Sequence, residues 1–405
     1  MFKMKVAVMG YGTVGSGVVK VLKENSDEIE KKSINGKIDV KYILDIKDVC
    51  DENAALWTKN FDDILTDEEV KVVIETMGGL HPAFEFVSKC LAAGKNVVTS
   101  NKELVAEKGL ELLKLAAENK AVFEFEASVG GGIPVIRAIT DSMNSNKITD
   151  IAGIVNGTTN FILTKMFSEG ADYGETLALA QELGYAEKDP TADVEGLDAG
   201  RKICILSALA YGKHIYPSQV HTEGISSIKS EDVTFAGKLG CVIKLIARAK
   251  KEENGISVAV SPALISDKSP LAFVSGVNNA VLIRGNAVGE VMLYGPGAGM
   301  LPTASAVVSD VIDCCNKLGR ARSIDRFWSE EAGDGYVADY LTVKTRLFVR
   351  GNFTKQEVSG IFGETDVVTD GNETAFITPE KSEKELCDCV AQLHGVKSVI
   401  RKLDY

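Results

Sequence analysis

Residues 180–202 gather Glu182, Glu187, Asp189, Asp193, Glu195 and Asp198, and the segment closes on Lys202 at the start of the apolar run 203–210. Charges at the mouth of a buried helix are costly. Each one taken from water unpaired costs several kcal/mol, and even a neutral group that loses its hydrogen bond costs about 1–3 kcal/mol. Such a cluster suits a ligand that carries an ammonium group and a proton to be moved. Asp198 and Lys202 stand four apart and share one helical face, which Ile205, Leu206 and Leu209 continue. The pair is therefore expected on the buried side of its helix, not as a salt bridge in water. A buried lysine beside a second cation has its pKa lowered toward neutrality, where it can trade protons, and Lys102 is the candidate second cation.

The elements that must position these groups begin at the N-terminus. A short apolar run at 5–9 leads into Gly10-Tyr11-Gly12-Thr13-Val14-Gly15, and a helical pattern then runs to Glu24. This strand–glycine–helix context is the one a dinucleotide fingerprint demands. Gly10 allows the tight turn, Gly12 lets a pyrophosphate approach the backbone, and Gly15 brings helix and strand together. The helix N-terminus at Thr13 and Val14 turns its free N–H groups to the phosphates. A second strand at 38–44 ends on Asp45, the residue type that binds a ribose 2′-hydroxyl. Its spacing exceeds the usual ~20 residues because of a polar insertion around 28–36. Lys47 suits a 2′-phosphate instead, so NAD and NADP both stay open.

The alternation continues with strands at 70–76, 96–99 and 121–125 and helices at 82–93 and 102–118. This order predicts an α/β fold with a Rossmann-type, doubly wound parallel sheet whose ligands lie past the C-terminal strand ends. Thr76, Ser100 and Lys102 fall at those ends. Lys102 is read as facing the cleft, because a helix N-terminus disfavours a cation that serves nothing; a solvated helix-entry lysine is the other reading.

Residues 126–134 leave the sheet through Gly130, Gly131 and Gly132. That backbone freedom suits a turn, a close ligand approach or carbonyls aimed at a cation, and equally a plain linker. A helix at 135–143, a strand at 150–155 and Asn156-Gly157-Thr158-Thr159-Asn160 follow, the last opening a helix that suits a carboxylate. Beyond a glycine-bearing break at 333–335, a strand at 340–344 begins a βαββαβ order. Its helices are expected at 355–362 and 382–393, and its later strands at 366–369, 374–378 and 396–403.

A chain of 405 residues implies two or three domains, and 45% hydrophobic with 25% charged residues marks a soluble globular protein. The net charge of -12, without a basic block, argues against nucleic acid and anionic membranes as partners. Eight cysteines are too sparse for a disulfide scaffold. Cys314-Cys315 and Cys387-x-Cys389 lack zinc spacing even with His394, so all are read as reduced thiols. The N-terminus leaves no room for a signal peptide, no apolar run approaches the ~20 residues of a membrane helix, and no kinase module precedes the glycine loop. A cytoplasmic protein is expected.

Taken together, residues 180–202, the glycine loop, Thr99-Ser100-Asn101-Lys102, the 156–160 loop and Tyr294-Gly295-Pro296-Gly297-Ala298-Gly299 with 301–307 resemble the homoserine dehydrogenases, in order over roughly 4–330. The resemblance implies NAD(P)-dependent interconversion of L-homoserine and L-aspartate 4-semialdehyde, on the route to threonine and methionine. It implies Lys202 as proton donor and acceptor, with Lys102 and Asp198 also catalytic. Glu187, Asp193, Asp198, Thr158 and Gly157 would bind substrate. Gly10, Gly12, Thr13, Val14, Gly15, Asp45, Lys47, Thr76, Ser100, Lys102 and Gly297 would bind coenzyme. Glu126, with the carbonyls of Val129, Gly131 and Ile133, would hold a monovalent cation, Na+ or K+. Leu44 stands where many relatives carry an arginine for the 2′-phosphate, which favours dual or NAD use. The implied domains are a nucleotide-binding domain at 1–128 completed by about 300–330, an α+β catalytic and dimerisation domain at 129–299, and a tail at 336–405. The tail resembles an ACT domain, although 346–354 replaces the usual Asp-x-Pro-Gly turn. L-threonine sensing and a purely dimerising role both stand for it. A homodimer or homotetramer is expected.

Overall fold

In strand Lys3–Met9 the residues Val6, Ala7, Val8 and Met9 are fully buried, as in a strand covered on both faces of a parallel sheet. The computed structural model describes residues 3–48, 51–318 and 327–405. It sets that strand among six, in the order Trp57–Thr58, Lys37–Leu44, Lys3–Met9, Val70–Glu75, Asn96–Thr99, Phe123–Glu124. All are parallel, as expected of a Rossmann-type sheet. The chain first builds to one side of Lys3–Met9 and then to the other, so the order reverses between that strand and Val70–Glu75. Ligands of such sheets lie at that reversal.

Helices Thr13–Glu24, Ala83–Ala92 and Lys102–Glu118 form at or within a residue or two of the expected bounds. The insertion around 28–36 is in part a further helix, Ser26–Lys32. Asp27 and Glu28 at its start and Lys31 and Lys32 at its end complement the helix dipole, while Ile29 supplies its buried contact. Helix Met300–Asn316 lays Ala304, Val307, Val308 and Val311 into the core beside Val18 and Leu22. A Cβ on Gly17 would lie 2.8 Å from the Met300 carbonyl oxygen, so the two helices approach where only glycine fits. The remainder of that return to the sheet, at 319–326, lies outside the described residues.

The helix expected at 135–143 is α-helical only over Val135–Arg137 and widens to a π-helix over Ala138–Ser142, with the Met143 N–H bonded to the Ala138 carbonyl at 2.8 Å.

Contacts divide the chain into two units, 1–146 with 204–217 and 295–332, and 147–203 with 218–294 and 333–405. The second unit is built on the antiparallel hairpin Cys241–Glu252 and Gly255–Ser266, in register from Cys241↔Ser266 to Glu252↔Gly255. Ile148–Ile154 pairs with Cys241–Glu252 and with Asn278–Gly285, beyond which lies Gly289–Pro296. On the other flank Gly255–Ser266 pairs in parallel with Val396–Lys402 through Ala263↔Arg401 and Leu264↔Lys402. The sheet then continues through Lys344–Gly351, Glu373–Ile377 and Val367–Asp370, all antiparallel. With helices Lys355–Phe362 and Glu383–Val390 this is a βαββαβ unit around its own core of Leu347, Val349, Phe353, Val358, Phe376 and Leu386. One expectation fails there. Residues 340–344 do not form the opening strand: Asp339 accepts the Leu341 N–H at 3.0 Å and winds Tyr340–Thr342 into a 3-10 turn, so the strand starts at Lys344.

Candidate active site

Gly10, just past the first strand, takes φ +92°, and a Cβ there would meet the Thr76 carbonyl oxygen at 2.8 Å. A Cβ on Gly15 would sit 1.9 Å from the Gly10 carbonyl oxygen, while Gly12 has open space beside it and caps the helix that Thr13 and Val14 begin. The Thr76 hydroxyl donates to the Gly10 carbonyl at 2.7 Å, which joins the ends of the two strands at the reversal. Asp45 ends the next strand with both carboxylate oxygens aligned by backbone: Tyr11 N–H donates at 2.7 Å and Lys47 N–H at 2.9 Å. The Lys47 side chain is exposed. Ser100 and Lys102 follow strand Asn96–Thr99, with Asn101 between them capping helix Lys102–Glu118. These residues share the C-terminal edge of one sheet.

Gly297 lies against the turn at Gly130–Gly132. Its carbonyl oxygen is 2.5 Å from the place of a Cβ on Gly131, and Gly132 N–H donates to the Pro296 carbonyl at 3.1 Å. Just before that turn the Glu126 side chain is held by backbone donors. Its oxygens accept the N–H groups of Ile136 and Arg137, each at 2.8 Å, with the Arg137 guanidinium 3.7 Å away. Burial pushes the Glu126 carboxyl up to about 7. The Ile133 carbonyl accepts the Val135 N–H at 2.8 Å, and Gly130 and Gly131 turn the chain at φ +73° and +55°. Only backbone carbonyls remain as donors to an ion, a set that fits a weakly held monovalent cation and not a divalent one. Among the described residues no group of histidine, cysteine or carboxylate side chains could hold a metal.

In the second unit Lys202 is 8% exposed and Asp198 3%. Lys202 Nζ donates to Asp198 Oδ2 and to the Val155 carbonyl, both at 2.6 Å. Asn156 extends the network, its amide donating to Asp193 Oδ1 at 2.7 Å and to Asp198 Oδ2 at 2.9 Å. Its own oxygen accepts the Thr159 N–H at 2.9 Å and so caps helix Gly157–Glu169. The Thr158 hydroxyl donates to the Tyr185 carbonyl at 2.7 Å and lies 3.3 Å from Asp193 Oδ2. A Cβ on Gly157 would meet the Val277 carbonyl oxygen at 2.8 Å. Lys202, Asp198, Asp193 and Thr158 thus stand in one hydrogen-bonded chain, with Gly157 beside it. Glu187 is exposed in the turn before Asp189, which caps Thr191. Asn156 was not singled out from the sequence, although an asparagine before a helical run is a strong cap signal.

Glu75 was also missed. It ends strand Val70–Glu75 with no exposure; burial pushes its carboxyl up, and hydrogen bonds from Thr99, Met77 and Gly78 oppose the shift. The seven described cysteines are free thiols, five of them buried, and Cys50 lies outside the described residues. Among the described residues no helix is long and apolar enough to cross a membrane.

A homoserine dehydrogenase family model matches residues 134–312, and the model of the homoserine dehydrogenase NAD-binding domain matches 10–126. The chain is 39% identical to the homoserine dehydrogenase of Bacillus subtilis (strain 168), over 97% of this chain and 92% of that protein. The crystal structure of a homoserine dehydrogenase from Thiobacillus denitrificans superposes with a TM-score of 0.91 at 37% identity, covering 99% of this chain and 98% of that one. A hyperthermophilic archaeal homoserine dehydrogenase in complex with NADPH is similar over 80% of this chain and all of its own, with a TM-score of 0.68 and 28% identity. The parallel NAD-binding sheet and the separate mixed sheet match the fold of these relatives, and the chain belongs to the homoserine dehydrogenase family.

Proposed function

We propose that Lys202 is the proton donor and acceptor in the reversible interconversion of L-homoserine and L-aspartate 4-semialdehyde by a cytoplasmic enzyme of threonine and methionine biosynthesis. The observation that carries this reading is the Lys202 ammonium itself, buried and aimed by one carboxylate and one carbonyl at 2.6 Å. Asp198 and the Val155 carbonyl together fix the direction of Nζ. In the reducing direction the Lys202 ammonium gives a proton to the carbonyl oxygen as that carbon gains hydride, and in the oxidising direction the neutral amine takes the hydroxyl proton as the carbinol carbon loses hydride. The bound nicotinamide coenzyme supplies the acceptor or donor of hydride.

Asp193, Glu187 and Thr158 are assigned to the amino-acid end of the substrate, where carboxylates meet an ammonium, with Gly157 leaving room at the helix start. Lys102 completes the catalytic set. Gly10, Gly12, Thr13, Val14 and Gly15 take the pyrophosphate, and Thr76, Ser100 and Gly297 line the remainder of the coenzyme site. Asp45, oriented by two N–H groups, takes the ribose hydroxyls of NAD, while the exposed Lys47 admits the 2′-phosphate of NADP. Asp45→Ala is expected to weaken NAD by about tenfold and NADP less, one charge-assisted hydrogen bond being worth about 1.5–3 kcal/mol; equal losses measured by coenzyme titration refute the assignment. A Na+ or K+ ion is assigned to the carbonyls of Glu126, Val129, Gly131 and Ile133. The tail is assigned as an ACT-like domain that takes L-threonine, and the enzyme as a homodimer or homotetramer.

The testing experiment follows coenzyme absorbance with L-homoserine, using NAD and then NADP, each with and without L-threonine, in sodium, potassium and choline salts. Turnover with homoserine supports the reaction, inhibition by threonine the tail, and loss of activity in choline alone the cation. A folded protein without turnover on either coenzyme refutes the reading.

A further inference from the structure

Glu75 is a charged residue with no exposure at the end of a strand whose Val70, Val72, Val73 and Ile74 are fully buried. A carboxylate survives there only if its oxygens are occupied by donors. Oε1 accepts Met77 N–H at 2.7 Å and Gly78 N–H at 3.2 Å, and Oε2 accepts the Thr99 hydroxyl. Thr99 Oγ1 accepts Asn101 N–H at 2.9 Å. Asn101 in turn donates from its amide to the Gly79 carbonyl at 2.6 Å and accepts Leu104 N–H at 3.1 Å, which caps helix Lys102–Glu118. The bonds form a closed circuit, from Glu75 through the 77–79 turn to Asn101 and back through Thr99.

Two loops at neighbouring strand ends are thereby tied by one acid. One carries Thr76 and turns through Gly78 and Gly79 at φ +76° and +70°; the other carries Ser100 and Lys102. We propose that Glu75 is a positioning residue that locks the 76–79 turn to the Asn101 cap and so fixes Lys102 against the coenzyme-binding edge. This rests on the assignment of Lys102 above, and it deepens that assignment. Glu75 acts through Thr99 and Asn101, without touching substrate.

The test uses the full chain with Glu75→Gln, Thr99→Val and the double variant. Coenzyme Kd is read by direct titration, kcat and homoserine KM by assay, and amide exchange at 77–79 and 101–104 by mass spectrometry. Each single variant is expected to lower kcat by about tenfold, the scale of a sub-ångström misplacement, with coenzyme Kd within about threefold and faster exchange at 101–104. The double variant is expected to be no worse than the worse single one, because both cut the same link. Wild-type kcat and exchange in both singles, or losses that multiply in the double, overturn the proposal. If Glu75→Gln does not fold, Thr99→Val alone decides, since it removes one hydroxyl at nearly constant volume. Absence of homoserine turnover in the wild type refutes the reaction instead, and the exchange data still test the circuit.

Discussion

Arg137 and Lys202 are both cations set among carboxylates, one in each unit, and they are built differently. The Arg137 guanidinium reaches Asp310 at 2.6 Å and Asp313 at 2.7 Å, with Glu126 at 3.7 Å, and Lys317 neutralises Glu124 at 3.0 Å nearby. Its planar fork stays protonated at any pH at which the protein folds. Lys202 Nζ donates to the Asp198 carboxylate and to the Val155 carbonyl, and that carboxylate also accepts the Asn156 amide. A lysine ammonium, unlike a guanidinium, can give up its proton and take it back. The first cluster holds helix Met300–Asn316 to residues 126–137, and the second is the one proposed to move a proton. Acidic neighbours are common to both, and the two bases differ in what they can do with a proton.

The largest effect that tests this contrast is Lys202→Arg. A permanently charged base in the same place is expected to lower kcat by about 10²–10⁴-fold, with coenzyme Kd and Tm close to wild type. Turnover near wild type in steady-state assays would remove proton transfer from Lys202. Next in size, Arg137→Lys keeps the charge and loses the fork. It is expected to cost about 1–3 kcal/mol of stability in denaturant unfolding while kcat of the folded enzyme stays within about twofold. A tenfold fall in kcat without loss of stability would make the first cluster catalytic too. The smallest effect is one of pH. Burial raises the Glu126 carboxyl to about 7, so the folded state binds a proton that the unfolded chain has released. That contribution is whole below the unfolded carboxylate pKa near 4.5 and is lost as pH rises through about 7. Glu126→Gln is expected to flatten stability between those values by about 1–3 kcal/mol, and an unchanged slope in unfolding curves would place the titration elsewhere.

Local patterns in the sequence anticipated the structure best. Spacing of four put Asp198 and Lys202 on one buried face, and they are bonded. The glycine loop between strand and helix stands where the parallel sheet reverses, and helix Lys102–Glu118 has the bounds its pattern suggested. What was not legible depends on partners distant in the chain. Asn156 reaches Asp193 and Asp198 only after three elements have folded together. The resemblance implied Glu126 in a cation site, and it gave no sign that the Ile136 and Arg137 N–H groups would bind the carboxylate. Glu75 lies inside the strand expected at 70–76, and its significance lies in Thr99, a neighbour across the sheet. The 3-10 turn at 340–342 depends on the Asp339 side chain, which a strand pattern does not register.

The pairing of Val396–Lys402 with Gly255–Ser266 bears on how the tail can be studied. Leu403 N–H adds a bond to the Leu264 carbonyl at 2.9 Å, and the Tyr405 hydroxyl donates to Asp150 at 2.9 Å beneath the guanidinium groups of Arg248 and Arg284. A shortened chain would bare the outer N–H and C=O groups of the long hairpin strand, a template for sticking to other chains, and would strip an aromatic lid from two arginines. A truncated enzyme that clumps or goes silent would therefore report a wounded sheet, and effector sensing is better dissected by point changes inside an intact tail.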